Sequence, residues 1–405
     1  MNERAQHIHE RTRSKILFNL RWNTPNAIHE DEYLFEVNLC RDILPDPLLR
    51  QILGKKPGDR IEITFPPGTL VSPYEKGRRF TLSRSQFRGD FLPAFGRFYP
   101  QGLLRDIPGV YPETITPFRC VETGSKTFDA DLNHPFALHS ATLSATVLAV
   151  QEFDDSRGGA LQDLMALLCD GPGMQARWEG RPTDFFRDAD AVFRRDDENP
   201  DIAFYTEPRL VTHLDDQALK NVQKLYGRLL QPGSKVLDLM SSWKSHIPDG
   251  LKLDALVGIG LNDQEMEANS QLTAHTVHDL NQDPQIPYED GSFDAVICTV
   301  SVEYLTRPLD VFSEVARVLR PHGLFVLTFS HRWFPPKVIS LWRDLHPFER
   351  VGLVTEYFLR TNRFSNLTTL SIRGWPRPEH DRYYPRLKDS DPVFAVWGRT
   401  HRGTT

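Results

Sequence analysis

Polar side chains lie in or directly after three apolar stretches in the second half of the chain, where they could accept hydrogen bonds from a ligand. A carboxylate is a stronger acceptor than an amide carbonyl because it is charged. A polar turn with two serines, Ser241 and Ser242, follows the first stretch. The acceptor side chains belong to Asp238, Asn262, Asp263 and Asp279, in or after the stretches VLDLM, ALVGIGL and AHTVH.

Each of these side chains also has a structural interpretation. Asp238 could cap the turn that follows it, without touching a ligand. Asn262 and Asp263 directly precede the segment DQEMEANSQL, and Asn and Asp are preferred N-cap residues of helices. The residues alone leave ligand binding and capping open.

The segments around these residues alternate between strand and helix patterns. Predicted strands VLDLM, ALVGIGL, AHTVHDL, FDAVICTVSV and GLFVLTFS are separated by helical patterns that include DQEMEANSQL and DVFSEVARVL. Such alternation predicts a mostly parallel, doubly wound α/β sheet, in which ligands bind beyond the carboxyl ends of the strands. We also expect a helix over Leu210 to Leu230 and a closing antiparallel hairpin of LTTLSIRG and PVFAVWGR.

The sequence from Val236 to Gly323 resembles class I S-adenosylmethionine-dependent methyltransferases of the type 11 sort. Asp238 matches the acid of their first motif, which fixes the amino-acid end of the cofactor, but Met240, Ser241 and Ser242 stand in place of its Gly-x-Gly. The resemblance therefore implies a Rossmann-like domain that binds S-adenosylmethionine. Its expected contacts at the second, third and fourth strands are Gly260 at the position of the ribose-binding acid, Leu261, Asn262, Asp279 as acceptor of the adenine amino group, Leu280 against the adenine, and Val300.

Two further sets of residues are candidates for roles in this domain. Tyr205 and Arg209 precede the first strand, where methyltransferases often carry a lid helix, and either could contact the methionine carboxylate or an acidic substrate. The alternative is that they belong to a solvated lid. Tyr304 and His331 follow strands on the acceptor side and are the catalytic candidates, although a His there is more often a packed neighbour than a general base. Methyl transfer itself needs little acid or base help.

The N-terminal part shows short apolar runs between Gly and Pro turns, which predicts a mostly antiparallel β domain. The turn Gly54-Lys-Lys-Pro-Gly-Asp and the later Asp131-Leu-Asn-His-Pro-Phe-Ala resemble FKBP-type peptidyl-prolyl isomerases of the SlyD-like branch. Leu138-His139 departs from the Gly-Lys of that family, and the segment from Phe91 to Tyr111 departs from its flap insertion. We therefore favour peptide or protein binding by this domain over isomerisation.

The whole chain predicts two domains and a linker: an FKBP-like domain over 1–153, a linker with one short helix over 154–200, and a methyltransferase domain over 201–405. The net charge of -6 and the dispersed arginines argue against nucleic acid as a partner. The four separated cysteines suggest no metal or disulfide site. We expect a cytoplasmic enzyme without membrane contact, and the FKBP-like domain favours a protein or peptide acceptor. The competing hypothesis is an isomerase or chaperone-like protein with a non-catalytic methyltransferase fold.

Overall fold

The computed structural model describes residues 6–152 and 160–401. Its contacts divide the chain into two compact units, which are described separately. The N-terminal unit comprises residues 1–187 together with 346–352, and the C-terminal unit comprises 188–345 and 353–405. The division after residue 187 falls inside the predicted linker.

The N-terminal unit is largely made of strands, as predicted. One antiparallel sheet has the order β2-β1-β8-β3, and alternate side chains of β1 are fully buried. This burial matches the period of two that a strand imposes on its side chains. The strands of this sheet are β1 (Thr12–Asn23), β2 (Ala27–Asn38), β3 (Arg60–Phe65) and β8 (Ala141–Glu152), and helix α1 (Asp46–Ile52) precedes β3.

A second antiparallel sheet lies between β3 and β8 in the chain, with the order β4-β7-β6-β5. Its core is rich in aromatic rings, with Phe87 in edge-on contact with Phe118 and Phe128. It thus has a hydrophobic core of its own. The strands are β4 (Arg79–Ser83), β5 (Phe98–Pro100), β6 (Pro117–Thr123) and β7 (Thr127–Asp131).

The segment predicted as a linker with a single helix contains two short helices, α2 (Leu164–Leu168) and α3 (Ala189–Val192). Asp163 caps α2, because its carboxylate accepts hydrogen bonds from the amides of Met165 and Ala166. The single-helix prediction was therefore too simple. The beginning of the predicted linker, residues 154–159, lies outside the described residues.

The C-terminal unit contains a seven-stranded mixed sheet with the order β11-β10-β9-β12-β13-β15-β14. Strands β11, β10, β9, β12 and β13 are parallel, which confirms the doubly wound prediction. Strand β15 is antiparallel to β13 and β14, so the predicted closing hairpin is also present. The strands are β9 (Lys235–Leu239), β10 (Ala255–Gly260), β11 (Ala274–Val277), β12 (Phe293–Thr299), β13 (Leu319–Phe329), β14 (Phe364–Arg373) and β15 (Val393–Thr400).

Helices α5 and α6 are shorter than the segments that were predicted to be helical. Helix α5 begins after Asp215, whose carboxylate accepts from two amides of the first turn, and not at Leu210. Helix α6 covers only half of DQEMEANSQL. The helices are α4 (Asp201–Phe204), α5 (Asp216–Leu229), α6 (Asp263–Glu267), α7 (Pro308–Val318), α8 (Ser340–Arg343) and α9 (Pro347–Thr361), whose first turn groups with the N-terminal unit. Among the described helices, none is both long enough and apolar enough to cross a bilayer.

Candidate active site

A cavity lies at the carboxyl ends of β9, β10 and β12 in the C-terminal unit, where a doubly wound sheet binds its ligands. All twelve side chains predicted to bind the cofactor line this cavity, and the catalytic candidate Tyr304 lines it too. The structure therefore brings together residues that are up to about a hundred positions apart in the chain. These residues are Tyr205, Arg209, Asp238, Met240, Ser241, Ser242, Gly260, Leu261, Asn262, Asp279, Leu280, Val300 and Tyr304.

Asp238 is a buried carboxylate on the wall of the cavity. Its Oδ2 accepts hydrogen bonds from the hydroxyls of Ser241 and Ser245, each at 2.6 Å. Burial raises the pKa of Asp238 to about 6, although the two hydroxyls act in the opposite direction. A buried carboxylate of this kind is suited to bind a cationic group, because that group would replace the solvation lost on burial.

We expect cofactor affinity to fall as pH decreases below about 6, by up to tenfold per pH unit. The predicted contact between Asp238 and the ammonium of the cofactor needs the ionised carboxylate. The stability of the fold depends on pH in the opposite direction. The raised pKa of Asp238 stabilises the folded state at pH values below the ordinary pKa of 3.8, and this contribution is lost as pH rises through about 6. Calorimetric titrations of S-adenosylhomocysteine between pH 5 and 8 would measure the effect, and an affinity independent of pH would contradict it.

Met240 occupies the position of the first glycine in the family motif and keeps the backbone conformation that glycine would favour. Its φ is 57°, in the left-handed region, whereas Ser241 and Ser242 do not adopt positive φ. A second non-glycine residue at the cavity, Val300, has φ of 50°. Such residues store strain of about 1–3 kcal/mol each and cluster at functional sites. The loop therefore carries backbone strain at the first position of the motif, at a cost in stability.

We expect the variant Met240→Gly to be more stable than Met240→Ala by about 1 kcal/mol, because only glycine adopts positive φ without strain. At an ordinary strand or helix position the order is reversed. The comparison with alanine removes the Met side chain in both variants and isolates the backbone effect. Urea denaturation of the two purified variants measures the difference, and a more stable alanine variant would refute the strain.

Gly260, at the position of the ribose-binding acid, lies directly against the loop after β9. A Cβ on Gly260 would be 2.2 Å from the backbone oxygen of Ser241 and 3.0 Å from the Sδ of Met266. The amide of Ser241 also donates to the carbonyl of Ile259 at 2.6 Å. The absence of an acid at this position thus has a steric reason, since the loop backbone occupies the space that a side chain would need.

Asn262 serves as the N-cap of α6, which is the structural interpretation left open by the sequence. Its side-chain oxygen accepts from the amide of Glu265 at 2.9 Å, and its Nδ2 donates to the carbonyls of Tyr205 and Thr206. Asp263 does not line the cavity and lies 2.8 Å from the imidazole of His275. Asn262 therefore fastens the segment after α4 to the cavity wall.

The third and fourth strands supply residues on the other side of the cavity. The Oδ1 of Asp279 accepts from the amides of Asn281 and Gln282, so this carboxylate is fixed in a turn while it lines the cavity. Leu280 is buried beside it. The amide of Val300 donates to the carbonyl of Thr328 at 2.7 Å, which holds the loop after β12. An acidic acceptor next to an apolar wall is suited to a flat heterocycle with an amino group.

Arg209 presents a cation to the cavity from the segment after α4. Its guanidinium lies over the rings of Phe204 and Phe334, and its Nη1 is buried without a hydrogen-bond partner among the described residues. A buried donor without a partner costs free energy unless a ligand satisfies it. The opposite charges of Arg209 and Asp238 at one cavity fit the carboxylate and ammonium of a free amino-acid group.

The expected lid helix is not present in this segment. Helix α4 is a single turn that ends at Phe204, and residues 205–215 are irregular. Pro208 interrupts any helix here because proline lacks an amide hydrogen. Asn262 and Glu265 hold the segment instead, the latter through a 2.6 Å hydrogen bond from the amide of Arg209.

The two catalytic candidates, Tyr304 and His331, differ in their position relative to the cavity. Tyr304 lines the cavity, but its hydroxyl accepts from the amide of Phe334 at 2.8 Å, and burial raises its pKa well above the ordinary value. His331 does not line this cavity, and its imidazole lies 3.4 Å from the buried carboxylate of Asp391. Its catalytic role stays a prediction.

Several side chains at the cavity were missed in the sequence. Glu265 is buried there and accepts from the hydroxyl of Ser242 at 2.5 Å. Its signal was the spacing Asn262-x-x-Glu265, which is similar to a capping box. His213 and His246 also line the cavity, and burial lowers the pKa of both, to about 4 for His246. No local pattern marks these histidines, because their place depends on tertiary contacts.

Comparison with known proteins gives a family for part of this unit. Residues 251–327 match the family model described as a methyltransferase domain. The chain is 29% identical over 100 residues to a malonyl-[acyl-carrier protein] O-methyltransferase of Marinomonas sp., a match that covers 24% of this chain and 37% of that protein. It is 27% identical over 106 residues to the ubiquinone/menaquinone biosynthesis C-methyltransferase UbiE of Roseobacter denitrificans, covering 26% of this chain and 41% of the relative.

The chain thus spans less than half the length of these two curated relatives. A solved S-adenosylmethionine-dependent methyltransferase of Aquifex aeolicus is 17% identical, with 49% of this chain and 97% of that chain covered and a TM-score of 0.32. The family match begins within the loop before β10 and ends in β13, so it includes Gly260, Asp279 and Val300. Residues 251–327 are therefore similar to a methyltransferase domain, and the cofactor that this family implies is S-adenosylmethionine.

Proposed function

We propose that the protein transfers a methyl group from S-adenosylmethionine to an acceptor that enters beside the cofactor cavity. The observation that carries this proposal is the pair of opposite charges at one cavity, the buried carboxylate of Asp238 and the buried, unsatisfied Nη1 of Arg209. When bound, the cofactor supplies a methyl group that its sulfonium already activates. The residues of the chain have to hold the donor, orient the acceptor and exclude water.

The residues present fit such a donor. Asp238 would hold the ammonium and Arg209 the carboxylate of its amino-acid end, while Asp279 and Leu280 would hold the adenine. Tyr304 would remain protonated because its pKa is raised, so we assign it a positioning role and not that of a base. The two relatives are named for different acceptors.

An acceptor-dependent assay tests this proposal. The full chain is incubated with methyl-labelled S-adenosylmethionine and three acceptor classes, namely small carboxylic acids, quinols and peptides, and the release of S-adenosylhomocysteine is measured. We expect release with one class that is lost in Asp238→Asn. Tight binding of the donor with no release for any class would instead favour a non-catalytic methyltransferase fold.

We further propose that the N-terminal unit is an FKBP-like domain that binds an apolar peptide segment. We also propose that the protein is cytoplasmic and contacts neither nucleic acid nor membrane. Support for peptide binding comes from large apolar side chains that are exposed in the segment between β4 and β6, including Phe91, Tyr111 and Ile115, the last at 86% exposure. Exposed apolar groups of this size commonly mark interaction surfaces.

Fluorescence anisotropy with a labelled apolar peptide tests this second proposal. The variant Tyr111→Ser/Ile115→Ser should weaken binding, whereas Ile202→Ser, at an exposed apolar position in the other unit, should not. Equal affinity of the two variants would refute the peptide site. Acceleration of prolyl isomerisation by the wild type would establish the alternative function.

A further inference from the structure

A second cleft opens beside the donor cavity in the C-terminal unit. The two share part of one wall, which includes Thr212, Trp243 and Tyr304. The opposite wall of the cleft comes from the irregular segment between β14 and β15, through Arg382 and Tyr383. A molecule in this cleft would therefore lie next to the donor.

Two cations face this cleft without an acidic partner. Lys244 Nζ lies 4.3 Å from the centre of the Trp243 ring, and the Arg382 guanidinium lies 4.6 Å from that of Tyr383. Both side chains belong to exposed residues, and within residues 6–152 and 160–401 neither forms an ion pair. Their positive charge is thus available to a ligand.

The acids that line the same cleft have contacts of their own, and two of them, Asp381 and Asp391, are paired with arginines. The carboxylate of Asp391 receives the guanidinium groups of Arg377 at 2.6 Å and Arg332 at 3.0 Å. The remaining three lie in stable contacts of their own, with Arg377 Nη1 3.0 Å from Asp381, His380 Nε2 2.8 Å from Asp216, and Asp215 buried as the N-cap of α5. Lys244 and Arg382 are therefore the cations lining this cleft that form no ion pair within the described part of the chain.

Tyr383 fixes the cationic side of the cleft. Its ring centre lies 4.4 Å from the guanidinium of Arg332, 4.6 Å from that of Arg382 and 5.7 Å from that of Arg386. Arg386 does not line the cleft. Arg382 is consequently held at the cleft by a rigid aromatic neighbour, which reduces the entropy lost when a ligand binds.

We propose that this cleft is the acceptor subsite and that it takes a molecule with a flat apolar body and an anionic group, either carboxylate or phosphate. The inference rests on the proposed function, since it names the substrate class of the same methyltransferase site. The rings of Trp243, Trp333 and Tyr383 supply the surface for the apolar body. Lys244 and Arg382 supply the charge, and the planar guanidinium of Arg382 suits the oxygens of either anion.

Probe binding to the full chain tests this subsite without turnover. Tryptophan fluorescence is followed while benzoate, phenyl phosphate or neutral benzamide is titrated, with and without saturating S-adenosylhomocysteine. Both anions should bind about tenfold more tightly than benzamide. The tighter of the two anions then identifies the anionic group of the acceptor.

Two matched variants sharpen the test. Arg382→Gln should weaken anion binding about tenfold, whereas Arg386→Gln, which removes a cation from the same tyrosine but not from the cleft, should leave it within about twofold. Equal binding of benzoate and benzamide, equal effects of the two variants, or no saturable anion binding would overturn the subsite. Failure of S-adenosylhomocysteine itself to bind would instead overturn the proposed function.

Discussion

The variant Gly260→Ala is expected to destabilise the C-terminal unit by about 1–3 kcal/mol and to abolish measurable cofactor binding. The added Cβ would lie 2.2 Å from the carbonyl oxygen of Ser241, which is backbone and cannot rotate away. The loop after β9 would have to move, and it carries Ser241, whose hydroxyl bonds Asp238. Urea denaturation and titration with S-adenosylhomocysteine measure the two effects.

Gly250→Ala is the matched control for this prediction. Gly250 lies in the loop before β10, and a Cβ there would meet no atom within 4 Å. We expect its stability and its cofactor affinity to equal those of the wild type. A Gly260→Ala protein that is as stable as this control and binds the cofactor would show that the contact between β10 and the loop is not as close as described.

The variant Asp238→Asn is expected to make the protein more stable at pH 8 while it weakens cofactor binding about 10- to 100-fold. An amide oxygen can still accept from Ser241 and Ser245, but the buried charge that raises the pKa to about 6 is removed. A gain of about 1–3 kcal/mol should disappear as pH decreases toward 4, where the wild-type carboxyl is itself neutral. Denaturation at both pH values and calorimetry measure these effects.

Asp249→Asn, at an exposed position near the same loop, provides the control and should change neither quantity. The combination of higher stability with lower affinity distinguishes a binding carboxylate from one that only caps a turn. If Asp238 served only the fold, the variant would bind the cofactor as the wild type does.

The general position of the site was predictable because a parallel sheet places the residues after its strands at one edge. Asp238, Gly260, Asp279 and Val300 lie at or just after the carboxyl ends of different strands, and all four line one cavity. Alternating strand and helix patterns fixed this order without any knowledge of contacts. The hairpin of β14 and β15 was likewise predicted from two apolar runs separated by a Pro-rich loop.

Strand β1 was missed although its signal was present. Ile16, Phe18, Leu20 and Trp22 are buried and alternate with less buried residues, which include the polar Asn19 and Arg21. This alternation is typical of a strand with one buried face. Its partners β2 and β8, by contrast, are set by the fold and not by the local pattern.

The details of the site depended on backbone approach and on ion pairs, which the sequence does not display. The contact between Gly260 and the carbonyl of Ser241 explains the missing acid, yet it involves no side chain of either residue. His331 was a catalytic candidate from its position after β13, and nothing in the sequence indicated its contact with the buried carboxylate of Asp391, 60 residues later. Such pairings follow from the fold and not from spacing.

The most direct test of the central claim is calorimetric titration of the full chain with S-adenosylmethionine and S-adenosylhomocysteine at pH 7.5, repeated on Asp238→Ala and Asp279→Ala. We predict micromolar binding to the wild type, on the order of -8 kcal/mol, that is lost in both variants. No heat of binding from a folded wild-type protein would contradict the assignment of this cavity as the cofactor site.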